Sequence, residues 1–354
     1  MKRKPLLTAA LSALLALLPA LASAADAVRE VRISTISYAT GGKTSYSGVS
    51  GLIAQQGDLE KALAKRGVKL TWVPVSTAAV GPQINEAFAN RRIDFAGYGD
   101  LPSVIANASG IRTKLLVPGG TSTTYLVVPA NSSARSITDL KGKRIALHRG
   151  RPWEFPFLQL AQANRLGQND FKLVNLNPQA GAAALSSGSV DAFFTLSDAW
   201  LLVDKGVGKI IWNSKQSPES WQMRAELWGA SDFVAANPAI TQLVVDAYVK
   251  AAHWASQEQN RDAYLRLQAA SGLPESVLRR DYDGDAAAWK QRASPLFTDA
   301  LAAHYRDVAR YAKGAKLTGS DVDMPATFEP RFVNAALKSL GLTQFWSDTK
   351  VARQ

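Results

Sequence analysis

Hydrophobic positions change their spacing three times along the chain. From Leu6 to Leu21 they are nearly continuous, almost all Leu and Ala, and Pro19 interrupts the end of the run. That block is shorter than the roughly 20 residues a membrane-spanning helix needs. From Val31 onward, short apolar runs alternate with segments spaced as amphipathic helices. Val31–Ser37 alternates as a strand does. In Leu52–Arg66, Leu52, Leu59 and Leu63 share one helical side and Gly67 ends the pattern. Val68–Val75 is β-rich, and Pro82–Arg92 carries the helical stripe Ile84, Ala87, Phe88. Ile93–Gly97 predicts a buried strand, Leu101–Ala108 a short helix, and Lys114–Val117 and Tyr125–Val128 two further strands.

The middle of the chain repeats the theme. Lys143–Leu147, Phe171–Leu176, Ala192–Leu196 and Lys209–Trp212 read as strands. Phe155–Leu166 and Gly181–Ser187 read as helices between them. From Asn237 the period becomes helical throughout. Asn237-Pro238 is a helix start, with Ile240, Leu243, Val244, Ala247 and Ala251 on one face, and Asp262–Ala270, Ser294–Ala312 and Pro330–Leu340 continue the tail. Strand–helix alternation of this kind is the pattern of βαβ units around a mainly parallel sheet. The expected fold is therefore α/β, with two such units and a C-terminal helical tail. Composition shifts place the crossings between the two units at Gly119–Thr123 and Ala225–Val234. The expected division is 26–121 with 225–354 in one lobe and 122–224 in the other.

The opening block gains a meaning from its flanks. Lys2, Arg3 and Lys4 precede it and Ala22-Ser23-Ala24 close it, the three parts of a secretory leader with an A-x-A cleavage site. Cleavage is expected after Ala24, which places the mature chain outside the cytoplasm; an uncleaved membrane anchor is the other reading. The 354 residues contain no cysteine, which excludes disulfides, thiolate metal sites, cysteine nucleophiles and a lipid-modified cysteine. The net charge of +12 is spread along the chain. It suits an anionic small molecule, an anionic surface or a merely solvated basic exterior, and argues little for nucleic acid. The three histidines, His148, His253 and His304, lie far apart with no metal-ligand spacing, and no serine sits in a nucleophile elbow. No catalytic residue, metal or cofactor is expected.

Three segments carry a family likeness. They are Gly81-Pro82-Gln83-Ile84-Asn85-Glu86-Ala87-Phe88 with Ile93-Asp94-Phe95-Ala96-Gly97-Tyr98-Gly99-Asp100-Leu101-Pro102; Ser136-Ile137-Thr138-Asp139-Leu140-Lys141-Gly142-Lys143-Arg144-Ile145-Ala146; and Ser187-Gly188-Ser189-Val190-Asp191-Ala192-Phe193-Phe194. The chain resembles the periplasmic solute-binding proteins of ABC importers, in the branch that takes aliphatic sulfonates, taurine and nitrate. The likeness runs from about Val31 to Asn237 and weakly through the tail. It implies a two-lobed binding fold (type II-like) with the ligand between the lobes. It also implies an organic anion as ligand, a permease in the inner membrane as partner, and a monomeric receptor that performs no chemistry. Within the motifs, Asp139 can hold the turn before Gly142, and Asp94 and Asp191 are expected to fix equivalent helix-to-strand turns.

Open α/β sheets bind ligands beyond the carboxyl ends of their strands, where helix N-termini offer free N–H groups to an oxyanion. The candidate ligand residues fall on those loops. Ser37–Ser47, rich in hydroxyls and glycine, offers Tyr38, Thr44, Ser45 and Tyr46. Gly99 and Asp100 follow a strand, with capping the favoured role for Asp100, and Ser122 and Thr123 lie in the first crossing. His148-Arg149-Gly150-Arg151-Pro152-Trp153-Glu154 departs from the small hydroxyl residues that the likeness implies. Arg149 and Arg151 can grip an anion and Trp153 can stack on an organic group, which favours a larger or aromatic anion; all three could instead face solvent or the hinge. Asp198 could steady one of these arginines or meet a ligand amine. The expected function is capture of a sulfonate or sulfate-ester anion for import. The rivals are an exported sensor on the same fold, an exported enzyme acting on an anionic substrate, and a surface or polyanion binder.

Overall fold

The computed structural model describes residues 28–40, 42–46, 48–283 and 289–347. The expected leader and its cleavage site lie outside the described residues. The strands are β1 (Glu30–Thr40), β2 (Lys43–Tyr46), β3 (Lys69–Val75), β4 (Phe95–Gly99), β5 (Thr113–Val117), β6 (Thr121–Ser122), β7 (Tyr125–Pro129), β8 (Arg144–Ala146), β9 (Lys172–Val174), β10 (Ala192–Thr195), β11 (Gly208–Asn213) and β12 (Met223–Ala230). The helices are α1 (Gly48–Gln56), α2 (Asp58–Ala64), α3 (Val80–Ala89), α4 (Asp100–Ala108), α5 (Glu154–Ala163), α6 (Pro178–Ser186), α7 (Ala199–Asp204), α8 (Ser231–Ala236), α9 (Pro238–Ala255), α10 (Arg261–Gln268), α11 (Glu275–Tyr282), α12 (Asp299–Gly314) and α13 (Arg331–Ser339).

These strands make two sheets. The first runs β2-β1-β4-β12-β5, with β3 also on β1 and β6 on β12. In it β3, β1 and β4 are parallel, and β12 is antiparallel to β4 and β5. The second runs β11-β7-β10-β8-β9, with β10, β8 and β9 parallel and β7 antiparallel to β10 and β11. Apart from the β2 hairpin, each sheet thus takes an antiparallel strand, β12 or β7, from the segment that has just crossed over from the other.

Strand alternation sends side chains to two cores per sheet. On one face of the first sheet Val31, Ile33 and Phe95 meet Leu59, Leu63, Val244 and Val249; on the other Ala96 and Tyr98 meet Ile84, Phe88, Val104, Tyr305 and Val308. Along β7, Leu126 and Val128 face one core of the second sheet and Tyr125 and Val127 the other. The tail helices α9 and α12 cover the first sheet from opposite sides, which explains the long helical period after Asn237.

Three sequence expectations are corrected. Leu52–Arg66 is two helices, because Gly57 sits at φ 69° between α1 and α2. Ser37–Ser47 is not an open loop: β1 continues to Thr40 and pairs antiparallel with β2 around Gly42 at φ 76°. Ala225–Val234 is not a crossing. It contains most of β12, whose apolar pattern is interrupted by Arg224 and Glu226, and these two pair with each other at 2.8 Å. The return crossing is the stretch just before it, 214–222. The two crossings run side by side: Ser122 pairs with Met223, Thr121 with Arg224, and Ser214 N–H donates to the Thr124 carbonyl at 3.0 Å.

Candidate functional site

The amino end of each sheet carries the same device. In the first, Asp94 Oδ2 accepts from the Arg32 backbone N–H (2.8 Å) and Nε (3.1 Å), and Oδ1 accepts from Nη2 (2.7 Å). In the second, Asp191 Oδ2 accepts from the Arg144 N–H (2.9 Å) and Nε (3.2 Å), and Oδ1 from Nη2 (3.0 Å). Each aspartate follows a helix that ends through a left-handed residue, Arg91 at φ 52° and Gly188 at φ 73°. In both turns that residue's carbonyl accepts from the clamped arginine. Asp94 and Asp191 therefore hold turns, as expected, and both clamps lower the demand for any external partner. The Arg144 guanidinium keeps the Asp191 carboxyl below its usual range.

The carboxyl ends of the sheets face one another. A Cβ placed on Gly99, at the end of β4, would fall 2.1 Å from Cγ of Pro152, in the loop after β8. Only glycine allows that approach. Gly81, at the start of α3, packs on Pro102 of α4, where a Cβ would fall 3.0 Å from the ring, and the Gly150 carbonyl lies within ordinary contact at 3.9 Å. The loop His148–Trp153 is therefore pressed between the two sheets, and its charged groups lose water.

Arg149 and Arg151 meet opposite fates there. Arg149 Nε donates to Glu154 Oε1 at 2.7 Å and Nη2 to Gln168 Oε1 at 3.0 Å, while its backbone N–H is taken by Asn175. Glu154, fully buried, also accepts from the Gly150 N–H. Arg151 is 6% exposed, and its Nε and Nη1 have no hydrogen-bond partner. Among the described residues no carboxylate lies within ion-pair distance of it. Its guanidinium lies 5.0 Å from the Trp153 ring centre, and burial pulls its pKa down to about 10. Trp153 itself, 5% exposed, belongs to the core of the second sheet and forms the floor under Arg151.

Asp198 and Asp100 do not serve the arginines. Asp198 accepts from Thr195 Oγ1 at 2.7 and 2.9 Å and from the Leu196 N–H, closing its own turn after β10. Burial raises its pKa to about 6, and among the described residues no cation pairs with it. Asp100 is fully buried; Oδ1 accepts from the Leu101 N–H, and Oδ2 from the Arg224 N–H (3.0 Å) and His304 Nε2 (2.8 Å). It opens α4 and ties that helix to the return crossing, since His304 Nδ1 also bonds the Ser220 carbonyl. Glu226 adds a second tie, accepting from Arg224 and from the Gly119 N–H.

The hairpin candidates are dispersed. Ser45 Oγ faces the carbonyls of Tyr38 (3.4 Å) and Ala270 (3.3 Å), Tyr46 stacks on Trp72 at 5.4 Å, and Thr44 is exposed. Burial raises the Tyr38 phenol. Ser122 and Thr123 sit in the first crossing, Thr123 at 3% exposure. Of the candidates, the structure brings Gly99, Arg151 and Trp153 to one place. It commits Asp100, Arg149 and Asp198 to protein partners. Sequence reading named Gly81 and the stretch from His148 through Pro152 to Glu154 but gave no ligand role to Gly81, His148, Pro152 or Glu154, which belong to or border the same loop. Glu154 could have been found as an acid five residues after Arg149 at a helix start. His304, 204 residues from Asp100, gave no local signal. Among the described residues no group of His, Asp and Glu could hold a metal ion, and no helix is long and apolar enough to cross a membrane.

Residues 54–230 match the family model described as the phosphonate periplasmic substrate-binding protein of ABC transporters. The chain belongs to this family. It is also similar to a solved structure named as the periplasmic sulfonate-binding protein of a sulfonate ABC transporter from Methylobacillus flagellatus, with 49% identity, a TM-score of 0.84, and coverage of 92% of this chain and 98% of that one. A Bacillus subtilis protein named for binding aliphatic sulfonates is 32% identical over 145 residues, 40% of this chain; the match spans 43% of that protein's length. A desulfurization enzyme, solved with biphenyl-2-sulfinic acid, shares the fold at TM-score 0.67 and 21% identity over 88% of this chain and all of that one. The binding-protein fold, two α/β lobes with a cleft between them, accounts for the two sheets and for the opposed carboxyl ends.

Proposed function

We propose that this binding protein is the periplasmic receptor of an ABC importer. It holds the head group of an organic sulfonate or sulfate ester on Arg151, between lobes 26–121 with 225–354 and 122–224, and hands it to an inner-membrane permease. The observation that carries the reading is the buried, unpartnered Arg151 guanidinium at the meeting of the two sheets. An isolated buried cation is costly, and an anion supplied from outside removes that cost. Sulfonate names among the relatives support the head-group class, and the leader, cleaved after Ala24, supports the compartment. The receptor acts as a monomer, closes on its ligand and leaves the ligand unchanged. Gly99 and Trp153 shape the pocket, and the tied crossings supply the hinge.

Calorimetry with alkanesulfonates, aryl sulfonates, sulfate esters, nitrate and carboxylates tests this. A sulfonate or sulfate ester binds stoichiometrically and is recovered intact. Arg151→Ala weakens it by about 1.5–3 kcal/mol, roughly tenfold to a hundredfold, as loss of a charge-assisted hydrogen bond does. Turnover of the ligand, or unchanged affinity of Arg151→Ala for every anion bound by the parent, overturns the reading.

A further inference from the structure

The loop that carries Arg151 holds a second polar group that nothing yet explains. His148 is half-buried, and its Nδ1 is buried without a partner. Its ring lies 6.0 Å from the same Trp153 indole on which Arg151 rests at 5.0 Å. The other charges around the loop cancel. Arg149 is paired with Glu154, and Glu154 is turned to Arg149 and the Gly150 N–H, with the Tyr311 phenol beside it. Arg151 is the charge that acts on His148; burial and that neighbour together hold the imidazole below its ordinary value.

We infer that His148 selects the charge of the ligand head group: neutral beside Arg151, it leaves the pocket one fixed positive charge, which suits a monoanion such as a sulfonate and rejects the dianion of a phosphonate. The inference rests on Arg151 being the anion anchor. A sulfonate carries one charge at every relevant pH, whereas an alkylphosphonate loses its second proton near neutrality. Beside the buried Arg151 the extra negative charge of the dianion goes unmatched. A bound sulfonate also favours the imidazolium, so acidification through the titration range of His148 draws a proton into the complex and tightens it.

The test is calorimetry of ethanesulfonate and ethylphosphonate at about pH 8 and about pH 5.5 with the parent, His148→Gln and Arg151→Ala. The parent prefers ethanesulfonate by more than about tenfold at the higher pH. It binds ethanesulfonate about threefold to tenfold more tightly at the lower pH, with proton uptake visible as a dependence of the heat on the buffer. His148→Gln keeps ethanesulfonate affinity at about pH 8 within about threefold and loses the pH dependence. Equal affinity for the two ligands at about pH 8, a flat parent profile, or a pH dependence retained in His148→Gln overturns the inference. Arg151→Ala separates the two ideas: if it binds ethanesulfonate as the parent does, the anchor is wrong; if it loses binding while His148→Gln stays pH-dependent, only the selector is wrong. Absence of proton uptake in the parent needs no variant and overturns the inference even if His148→Gln fails to fold.

Discussion

At the amino ends of the two sheets the clamping guanidiniums meet carboxylates, Arg32 with Asp94 and Arg144 with Asp191. At the carboxyl ends two charged side chains lack a counter-charge among the described residues: Arg151 has no carboxylate within ion-pair distance and Asp198 no cation. The ends differ in what surrounds them. An amino-end clamp spans neighbouring strands of one sheet, so both partners come with the fold. The carboxyl ends are brought together by two separate sheets, and there the protein leaves electrostatic demand unmet. The proposed function places ligand recognition at the unmatched end.

The largest expected effect tests the matched end. Asp94 is 6% exposed and its partner Arg32 30%. Asp94→Ala strands a partly buried guanidinium and the Arg32 backbone N–H, and should cost about 2–3 kcal/mol of unfolding free energy, below the full value for a deeply buried pair. Asp191, 36% exposed beside an Arg144 that is 44% exposed, should cost only about 1 kcal/mol on the same substitution. Denaturant melts measure both. Ligand affinity should hold in each variant; a fall in affinity without a fall in stability would break the division between the two ends.

Next in size is the pH response of the unmatched carboxyl. Asp198 releases its proton near pH 3.8 in the unfolded chain and at about 6 in the folded protein. The folded state therefore binds more protons across that window, so the contribution of Asp198 falls as pH rises from about 4 to about 6, by about 2–3 kcal/mol in all. Asp198→Asn keeps the turn and removes the titration. Its stability-against-pH curve should lack this downward component. Identical curves for parent and variant would mean that Asp198 has a counter-charge after all.

The smallest effect sharpens the likeness between the lobes. The left-handed residue before each clamp is Arg91 in one lobe and Gly188 in the other. A side chain in that conformation costs about 1 kcal/mol. Arg91→Gly should gain about 0.5–1 kcal/mol, and Gly188→Ala should lose about 1 kcal/mol. Opposite signs of the two shifts in melting temperature confirm that the turns are equivalent; equal signs refute it.

Much of the frame was legible without coordinates. The βα alternation gave the α/β class, and Asp94 and Asp191 stood out because each precedes an apolar strand in a matching context. What local pattern missed were elements whose partners are distant. β12 carries Arg224 and Glu226 and looks too polar for an inner strand until Glu226 is seen to hold the Gly119 N–H of the other crossing. The hydroxyl-rich Ser37–Ser47 segment is a different case: it has the composition of a binding loop, and its local pairing as a hairpin around Gly42 was masked by that composition.

The sequence by itself determined the repeated strand–helix order, the aspartates that end the two helix-to-strand turns, and the presence of two arginines in one short loop, because these depend on periodicity and on neighbours a few residues away; the arginines those aspartates clamp, 62 and 47 residues distant, came only with the tertiary structure. Which arginine is free was decided only in three dimensions. Glu154 reaches Arg149 and the Gly150 N–H, while Arg151, next to the Pro152 that packs on Gly99, is buried with its Nε and Nη1 unpartnered. Charge pairing falls steeply with distance and rises with exclusion of water. Both quantities are fixed by how the two sheets meet, and sequence separation carries neither.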